Sequence, residues 1–225
     1  VLTTPFSFIA STNAIMYVGA TPVFADILPD TFTIDPAAIE AELKADPKIK
    51  ALLIVHLFGQ ACDMDRIMEL VKKYNLLLIE DCAQAHGARW NGKMAGTFGD
   101  ASCFSFYPTK NMTTGEGGAV LTDREDVAEK CRLLINHGMK VRYHHDIIGY
   151  NYRMTNLSAA IGLCQLAKLP DFNAKRRANA AKLSRLITNP LIVTPVIDPK
   201  SDHCFHQYSI LVQDGHRDEF TAYLS

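Results

Sequence analysis

The 225-residue sequence lacks the features that mark several large classes of protein. It has no excess of positive charge, since 23 Lys and Arg side chains face 24 Asp and Glu side chains and the net charge is −1. We therefore expect no nucleic-acid partner, because such binding relies on basic surfaces that displace counterions from phosphates. It also has no apolar run near the ~20 residues that a membrane-spanning helix needs, so we expect no membrane partner. With 48% hydrophobic and 21% charged residues, the composition is that of a globular protein with a real core.

The sequence also lacks paired cysteine motifs. No C-x-x-C occurs among the six cysteines, which argues against a zinc ribbon, a thioredoxin-like motif and a small disulfide scaffold. We expect reduced thiols and a cytoplasmic location. The adjacent His144 and His145, and the pair His203 and His206, have no carboxylate or thiol at ligand spacing, so we expect no metal site.

No initiator methionine and no signal peptide are visible in the sequence. The chain starts at Val1 inside a strand-like segment, and it stops at Ser225 in a predicted amphipathic helix over residues 217–224. We interpret the chain as a fragment that lacks both ends.

Short apolar runs alternate with amphipathic segments over the first 125 residues. The runs predict strands at 23–27, 51–58, 76–80, 101–106 and 118–122, and the amphipathic segments predict helices at 36–45, 63–74 and 125–137. Asp35 followed by Pro36 is typical of a helix N-cap and first turn. This alternation predicts an α/β fold with a mainly parallel sheet flanked by helices.

The pattern changes in the second half of the chain. Thr155 is placed to cap a helix, Pro170 is expected to interrupt it, and helical periodicity resumes over residues 171–186. Short β-like pieces follow after Asn189, including residues 208–212. We therefore predict a large domain with its connecting helix over residues 1–188 and the start of a smaller α+β domain over residues 189–225.

Two charged side chains follow apolar strands, where parallel sheets bind their ligands. Asp81 follows the run at 76–80, and Lys110 follows the strand at 101–106 and precedes Gly115-Glu116-Gly117-Gly118. Asp81 could instead cap a following helix, and a lone lysine is most often a solvated surface residue. The glycines are expected to allow close approach to something flat or bulky, and a lysine beside such a site can attack a carbonyl as the neutral amine.

Several strings resemble the DegT/DnrJ/EryC1/StrS family of sugar aminotransferases, which are pyridoxal-phosphate (PLP) enzymes of fold-type I. They are Thr4-Pro5-Phe6-Ser7-Phe8-Ile9-Ala10, Glu80-Asp81-Cys82-Ala83-Gln84-Ala85-His86-Gly87, Ser105-Phe106-Tyr107-Pro108-Thr109-Lys110-Asn111 and Asn151-Tyr152-Arg153-Met154. The resemblance extends over essentially the whole chain and weakens after about Leu186. It implies a fold-type I large domain and a PLP cofactor.

The resemblance assigns roles to residues that lie near the two charged groups. Lys110 matches the lysine that binds PLP covalently, and Asp81 matches the aspartate that pairs with the pyridinium nitrogen. Gln84 matches the position that flanks the cofactor near its 3-hydroxyl group. Ser105 matches a hydroxyl donor to the PLP phosphate.

Two further residues are matched by the same resemblance. Phe8 matches the aromatic residue that stacks on the ring, although an aromatic residue there is equally typical of a core. Asn151 matches an asparagine that reaches the phosphate from the partner subunit. The resemblance therefore implies a homodimer with shared active sites. The family's Gly-Ser-Gly-Thr phosphate-binding segment does not occur in the sequence, so we expect residues 1–225 alone to be inactive.

The activity implied by the resemblance is transfer of an amino group from an amino acid, expected to be glutamate, to a nucleotide-linked ketosugar. A PLP-dependent sugar dehydratase and a catalytically silent PLP-fold regulator or binding protein are the alternatives. A nucleotide binder without PLP is disfavoured because no G-x-G-x-x-G follows a strand. His56 is predicted to be structural and residues 175–177 to form a solvated helix face, while Arg153 and the pair His144 and His145 either touch a sugar nucleotide or lie in a solvated loop.

Overall fold

The computed structural model describes all 225 residues, in thirteen strands and six α-helices. The strands are β1 (Leu2–Thr3), β2 (Val23–Phe24), β3 (Ala51–Val55), β4 (Leu77–Asp81), β5 (Arg89–Trp90), β6 (Lys93–Met94), β7 (Ala101–Ser105), β8 (Gly118–Leu121), β9 (Met139–Val141), β10 (His144–His145), β11 (Ile192–Val193), β12 (Ser201–Asp202) and β13 (Leu211–Val212). The helices are α1 (Ile9–Tyr17), α2 (Pro36–Ala45), α3 (Met64–Tyr74), α4 (Glu125–Ile135), α5 (Asn156–Leu186) and α6 (Arg217–Leu224).

The central sheet has six strands in the order β2-β1-β3-β4-β7-β8. All neighbours in it pair in parallel except β7 and β8, which are antiparallel. Each parallel pair is connected by a crossover segment, as parallel strands require. The predicted α/β fold with a mainly parallel sheet and flanking helices is therefore confirmed.

The central strand β3 is covered on both faces. Leu52 and Ile54 belong to the main core cluster with α2 and α3, while Leu53 and Val55 pack on the opposite face with Ile15 of α1. This two-sided burial explains why the strand is apolar without alternation. The predicted strand over residues 51–58 is three residues too long, because His56 ends it and a 3-10 turn follows at Leu57–Gly59.

Side-chain caps start three of the helices. Asp35 accepts a hydrogen bond from the N–H of Ala37 (2.8 Å), Asp63 from that of Arg66 (3.1 Å) and Thr155 from that of Ser158 (3.1 Å). Each cap satisfies an amide that the first helical turn leaves without a partner. The predicted caps at Asp35 and Thr155 are confirmed.

The predicted interruption at Pro170 is wrong, since α5 is one helix of 31 residues with Pro170 inside it. A proline within a helix loses one hydrogen bond and costs about 3 kcal/mol. The neighbouring Leu169 and Asn173 are buried, so tertiary packing on both sides of Pro170 holds the helix together. None of the six α-helices combines the length and the apolar character that a membrane-spanning helix requires.

The last 37 residues return to the first part of the chain. β12 pairs with β5, which also pairs with β6, and residues 203–205 are buried. β11 and β13 form a separate antiparallel pair that α6 contacts. The division into units at residue 188 stays a prediction.

Candidate active site

The carboxyl edge of the sheet brings Asp81 and Ser105 together. β4 ends at Asp81 and its parallel neighbour β7 ends at Ser105, with Asp81 paired to Cys103. The Asp81 carboxylate accepts a hydrogen bond from the hydroxyl of Ser11 (2.7 Å) and one from the N–H of Ala83 (3.0 Å). Turns rather than a helix follow Asp81, so it does not cap a helix and its carboxylate is held in place at the edge.

Lys110 lies in the segment between β7 and β8, beyond the same edge of the sheet. Its side chain is half-buried, and its N–H donates to the carbonyl of Tyr107 (3.0 Å). Burial lowers the pKa of the Lys110 amine below its usual value, and the negative charge of Asp81 partly offsets that effect. A lowered pKa increases the fraction of neutral amine, which is the nucleophilic form.

Gln84 holds a strained turn beside the edge. Its Oε1 accepts a hydrogen bond of 2.6 Å from the N–H of Phe58. Phe58 has a φ of 58°, in the left-handed region that bulky residues avoid. The Gln84 carboxamide therefore fixes the 3-10 turn after β3, and its NH2 group makes no other hydrogen bond in the structure.

Ser105 presents a hydroxyl group near this edge, and Phe8 presents an exposed aromatic ring. The Ser105 hydroxyl accepts a hydrogen bond from the N–H of Tyr107 (3.3 Å) and keeps its own proton available. Phe8 lies at the N-terminus of α1 and is 73% exposed, so it is not the core aromatic that the alternative interpretation offered. Ser11, three residues further along α1, contacts Asp81, which places that end of the helix at the site.

Asn151 is not joined to the other predicted site residues. It is exposed, it pairs across an isolated bridge with Asn136, and no hydrogen bond links it to Lys110 or Asp81. Its neighbour Arg153 donates to the Oδ1 of Asn136 (2.7 Å). His145 lies on the same exposed segment, with its Nδ1 2.9 Å from the carbonyl of His137.

Two of the glycines after Lys110 are closely surrounded by the loop's own atoms. A Cβ on Gly117 would lie 2.5 Å from the Thr114 hydroxyl, and one on Gly118 would lie 2.8 Å from the carbonyl of Phe104. These contacts come from the protein's own backbone and side chains. The expectation that the glycines make room for something flat or bulky stays a prediction.

Glu80, the residue before Asp81 in β4, forms a buried hydrogen-bonded pair with His56. Glu80 accepts hydrogen bonds from His56 (2.9 Å) and from the backbone N–H groups of Gly96, Phe98 and Gly99 (2.7 Å each). Burial opposes ionisation of Glu80, but these donors lower its pKa below the usual value. His56 Nδ1 accepts the N–H of Cys62 (3.0 Å), so both of its ring nitrogens are satisfied, and the prediction of a structural His56 is confirmed.

His56, Glu80 and Cys82 also offer potential metal-ligand atoms within 4.8 Å of one another. The lone pair of His56 Nδ1 is already used by an amide, and the Glu80 carboxylate accepts four hydrogen bonds. Hydrogen bonding within the protein therefore accounts for the positions of His56 and Glu80.

Sequence reasoning missed three polar residues near the site. Ser11 orients Asp81, and the buried Asn111 and Asn173 donate and accept hydrogen bonds next to Lys110. The spacing of Ser7 and Ser11, one helical turn apart just after β1, is the signal that could have indicated Ser11. The predicted solvated face at 175–177 is wrong for Arg176, which donates to the carbonyls of Phe205 (3.1 Å) and His206 (3.3 Å).

A cavity next to the site has a mostly apolar lining. It has a volume of about 890 Å³ and lies between β7, β8 and α4, with mostly apolar lining residues such as Phe104, Val120 and Met154. It includes neither Lys110 nor Asp81. Convergent polar groups rather than cavity size therefore identify the candidate site.

Comparison with known proteins gives the same family as the sequence motifs. A GDP-perosamine synthase of Escherichia coli O157:H7 is 43% identical over 231 residues, which cover 100% of this chain and 62% of that protein. A protein of Geobacillus stearothermophilus named pleiotropic regulatory protein is 43% identical over 228 residues, covering 100% of this chain and 60% of that protein.

A solved structure agrees in fold as well. DesV of S. venezuelae superposes with a TM-score of 0.93 at 39% identity, covering 99% of this chain and 60% of that chain. The chain thus spans about 60% of the length of the proteins it matches, and the predicted fold-type I architecture is confirmed. Because the profile of the DegT/DnrJ/EryC1/StrS aminotransferase family matches residues 1–225, the chain belongs to that family.

Proposed function

We propose that the protein containing this chain is a PLP-dependent aminotransferase that moves an amino group from an amino acid, glutamate in our proposal, to a nucleotide-linked ketosugar. The observation that carries the proposal is the pairing of Lys110, whose pKa burial lowers, with Asp81, whose carboxylate Ser11 and Ala83 hold at the same edge of the sheet.

The residues at this edge fit the chemical groups of PLP. A fixed carboxylate at Asp81 suits a protonated ring nitrogen, and the free hydroxyl proton of Ser105 suits a phosphate oxygen. Phe8 presents an exposed aromatic ring, and Gln84 retains an unused NH2 group for the 3-hydroxyl. When bound, PLP supplies an electron sink that stabilises negative charge next to the reacting amino group.

The chain's own groups perform the remaining tasks. Lys110 provides the neutral amine that anchors the cofactor, and the same Nζ is the base that moves a proton during transfer. Asp81 keeps the ring nitrogen protonated by opposite-charge attraction, and Ser11 prevents that carboxylate from turning away. The Glu80–His56 pair holds the end of β4.

The substrates are proposed from the relatives' names. The E. coli relative is named a GDP-perosamine synthase, which favours a nucleotide sugar as the acceptor. The amino donor has no counterpart in that name and is proposed from the family resemblance alone. A cytoplasmic location is included, because all six cysteines are free thiols and a reducing compartment keeps thiols unpaired.

A homodimer with shared sites is part of the same proposal. Large apolar side chains are exposed on the segment before α5 and on α5 itself, namely Tyr143, Ile148, Tyr152, Leu157, Leu163 and Leu166. Contiguous exposed apolar surface is typical of a protein interface. Asn151 lies within this segment and makes no contact with its own chain's Lys110, so it is available to a second subunit.

The proposal is tested by mapping the cofactor and identifying the product. Borohydride reduction of the full-length protein with PLP, followed by peptide mapping, is expected to place the pyridoxyl group on Lys110 and to leave Lys110→Ala unlabelled. A panel of nucleotide-ketosugars with glutamate is expected to show the mass change of an amine replacing a ketone. Labelling without amino transfer would favour the dehydratase or the silent regulator, and labelling elsewhere would refute the site.

A further inference from the structure

The loop that carries Lys110 is held at its base and at its tip by different groups. At the base, the N–H of Phe106 donates to the carbonyl of Gly117 (2.8 Å). The carbonyl of Phe106 accepts hydrogen bonds from the hydroxyl of Thr113 (2.9 Å) and the N–H of Thr114 (3.0 Å). Among residues 108–112, the backbone makes a single hydrogen bond, from Lys110 to the carbonyl of Tyr107. The tip therefore depends on side chains for its position.

The side chain of Asn111 supplies that anchor. It is 3% exposed, and its Nδ2 donates to the Oδ1 of Asn173 (2.8 Å) and to the carbonyl of Cys204 (3.0 Å). Its Oδ1 lies 3.2 Å from Nδ1 of His206. Asn173 in turn donates to the carbonyl of His86 (2.7 Å). The Asn111 side chain therefore joins the loop to α5 and to residues 204–206, and through Asn173 to the turn after Asp81.

We propose, on the basis of the function proposed above, that Asn111 is a positioning residue for Lys110, and that it sets the direction and solvent access of the amine through its hydrogen bonds to Asn173 and Cys204. Each of these bonds connects segments distant in sequence, 62 residues apart for Asn173 and 93 for Cys204. A fully satisfied buried amide network of this kind selects one arrangement of the chain, because any other arrangement leaves polar atoms buried without partners.

The charged groups that face Lys110 are few. Asp81 is the one anion whose charge acts on its pKa. Burial lowers the pKa of His86 to about 4 and that of His206 to about 4, and Lys110 contributes to both shifts, so both imidazoles are neutral at pH 7. Lys175 and Arg176 line the same cavity as Lys110, and Arg176 also donates to the carbonyl of His206. Displacement of the amine towards water therefore changes its titration mainly by removing burial.

The experiment measures how pH affects labelling of Lys110 in the full-length protein freed of PLP. An amine reagent such as trinitrobenzenesulfonate reacts with the neutral lysine, and peptide mapping isolates the signal of Lys110. In Asn111→Ala the midpoint of labelling is expected to rise towards the ordinary lysine value, because the freed loop exposes the amine. Asn179→Ala is the matched control, since this exposed α5 residue lies near Lys110 but makes no hydrogen bond to the loop.

A second variant connects the effect to the network. Asn173→Ala removes an acceptor of Asn111 without touching the loop, and it is expected to raise the same midpoint. The double variant is expected to shift it no further than Asn111→Ala, because the two side chains act through one hydrogen bond. If Asn111→Ala does not fold, Asn173→Ala carries the test alone.

The outcomes separate this proposal from the proposed function. An unchanged midpoint in folded Asn111→Ala, or fully additive shifts in the double variant, would overturn the positioning role whether or not the protein transfers amino groups. In the PLP-loaded protein, the proposal further expects a lower kcat with an unchanged KM for the sugar nucleotide. Failure of the wild-type protein to bind PLP would refute the proposed function. The labelling result would still test the positioning role of Asn111, because it is measured without PLP.

Discussion

The structure surrounds the Asp81 carboxylate and the Lys110 amine in different ways. The Asp81 carboxylate is held in place by two hydrogen-bond donors, Ser11 and Ala83. The amine must be able to lose its proton, and partial burial lowers its pKa while Asp81 opposes the change. Desolvation is the larger of the two effects on Lys110, so the balance favours a reactive amine.

Asp81→Asn keeps the shape of the side chain and removes its charge. We expect PLP to bind still, while kcat for amino transfer falls by about 10²-fold or more, because a charge that stabilises the reacting state is lost. Ser11→Ala should cause a smaller fall, since it removes one of the two donors that orient the carboxylate. Steady-state kinetics of the full-length variants provide the measurement, and near-normal turnover of Asp81→Asn would reduce Asp81 to a turn-forming residue.

At the scale of elements, the segment 201–207 packs against the turn after β3 at Gly59. Gly59 has a φ of 104°, and its carbonyl accepts the N–H of Cys204 (2.9 Å). A Cβ at this position would lie 2.7 Å from Cys204 Sγ and 2.9 Å from the backbone nitrogen of His206. Only glycine allows the two segments to approach so closely.

Gly59→Ala is therefore expected to destabilise the protein by roughly 2–3 kcal/mol, through backbone strain and overpacking together. Gly19→Ala is the matched control: Gly19 also has a positive φ, of 73°, but nothing lies within 4 Å of its added Cβ. The control should lose only about 1 kcal/mol from strain. Urea unfolding of both variants measures the difference. Equal losses of unfolding free energy would show that the Cys204 side chain moves away from the added Cβ at little cost.

For the whole molecule, acid stability depends on histidines that are buried in the neutral form. His203 accepts the N–H of Phe205 at its Nδ1 (2.9 Å), and burial lowers its pKa from 6.5 to about 4. The unfolded chain takes up a proton as the pH falls through 6.5, whereas the folded protein resists it until about pH 4. Stability is therefore lost over that interval as the pH falls.

His203→Asn retains an acceptor for Phe205 but cannot take up the proton. Between pH 7 and pH 4, the wild-type protein should lose about 3 kcal/mol more unfolding free energy than this variant. The exposed His144→Asn serves as the control and should follow the wild type. Urea denaturation at several pH values measures the unfolding free energy of each protein. Parallel curves of this free energy against pH for wild type and His203→Asn would contradict the expectation.

The proposed dimer makes a prediction at the same scale. Lys110→Ala and Asn151→Ala should each be poorly active, and a mixed dimer should contain one intact site, with Lys110 from one chain and Asn151 from the other. Random exchange makes half of the dimers mixed, so activity should recover to roughly a quarter of wild type by symmetry. Confirmed subunit exchange without recovery would show that Asn151 does not act across the interface.

Local chemistry predicted several of the elements and the helix caps at Asp35 and Thr155. Asp35, Asp63 and Thr155 cap helices through bonds to amides two or three residues away, and such bonds depend on neighbouring residues alone. The uninterrupted apolar run of β3 predicted a parallel strand, because burial on both faces leaves no polar alternation. Asp81 and Lys110 could be selected because residues that follow parallel strands meet at one edge.

Contacts between distant segments decided the rest. Pro170 stays within α5 because Leu169 and Asn173 are buried by other parts of the chain, a stabilisation that no local pattern records. Ser11 reaches Asp81 across 70 residues, and Asn111 meets Cys204 across 93. A hydrogen bond between such residues depends on the path of the whole chain. The sequence by itself therefore determined which groups we propose to carry the chemistry, and the tertiary structure decided which groups hold them in place.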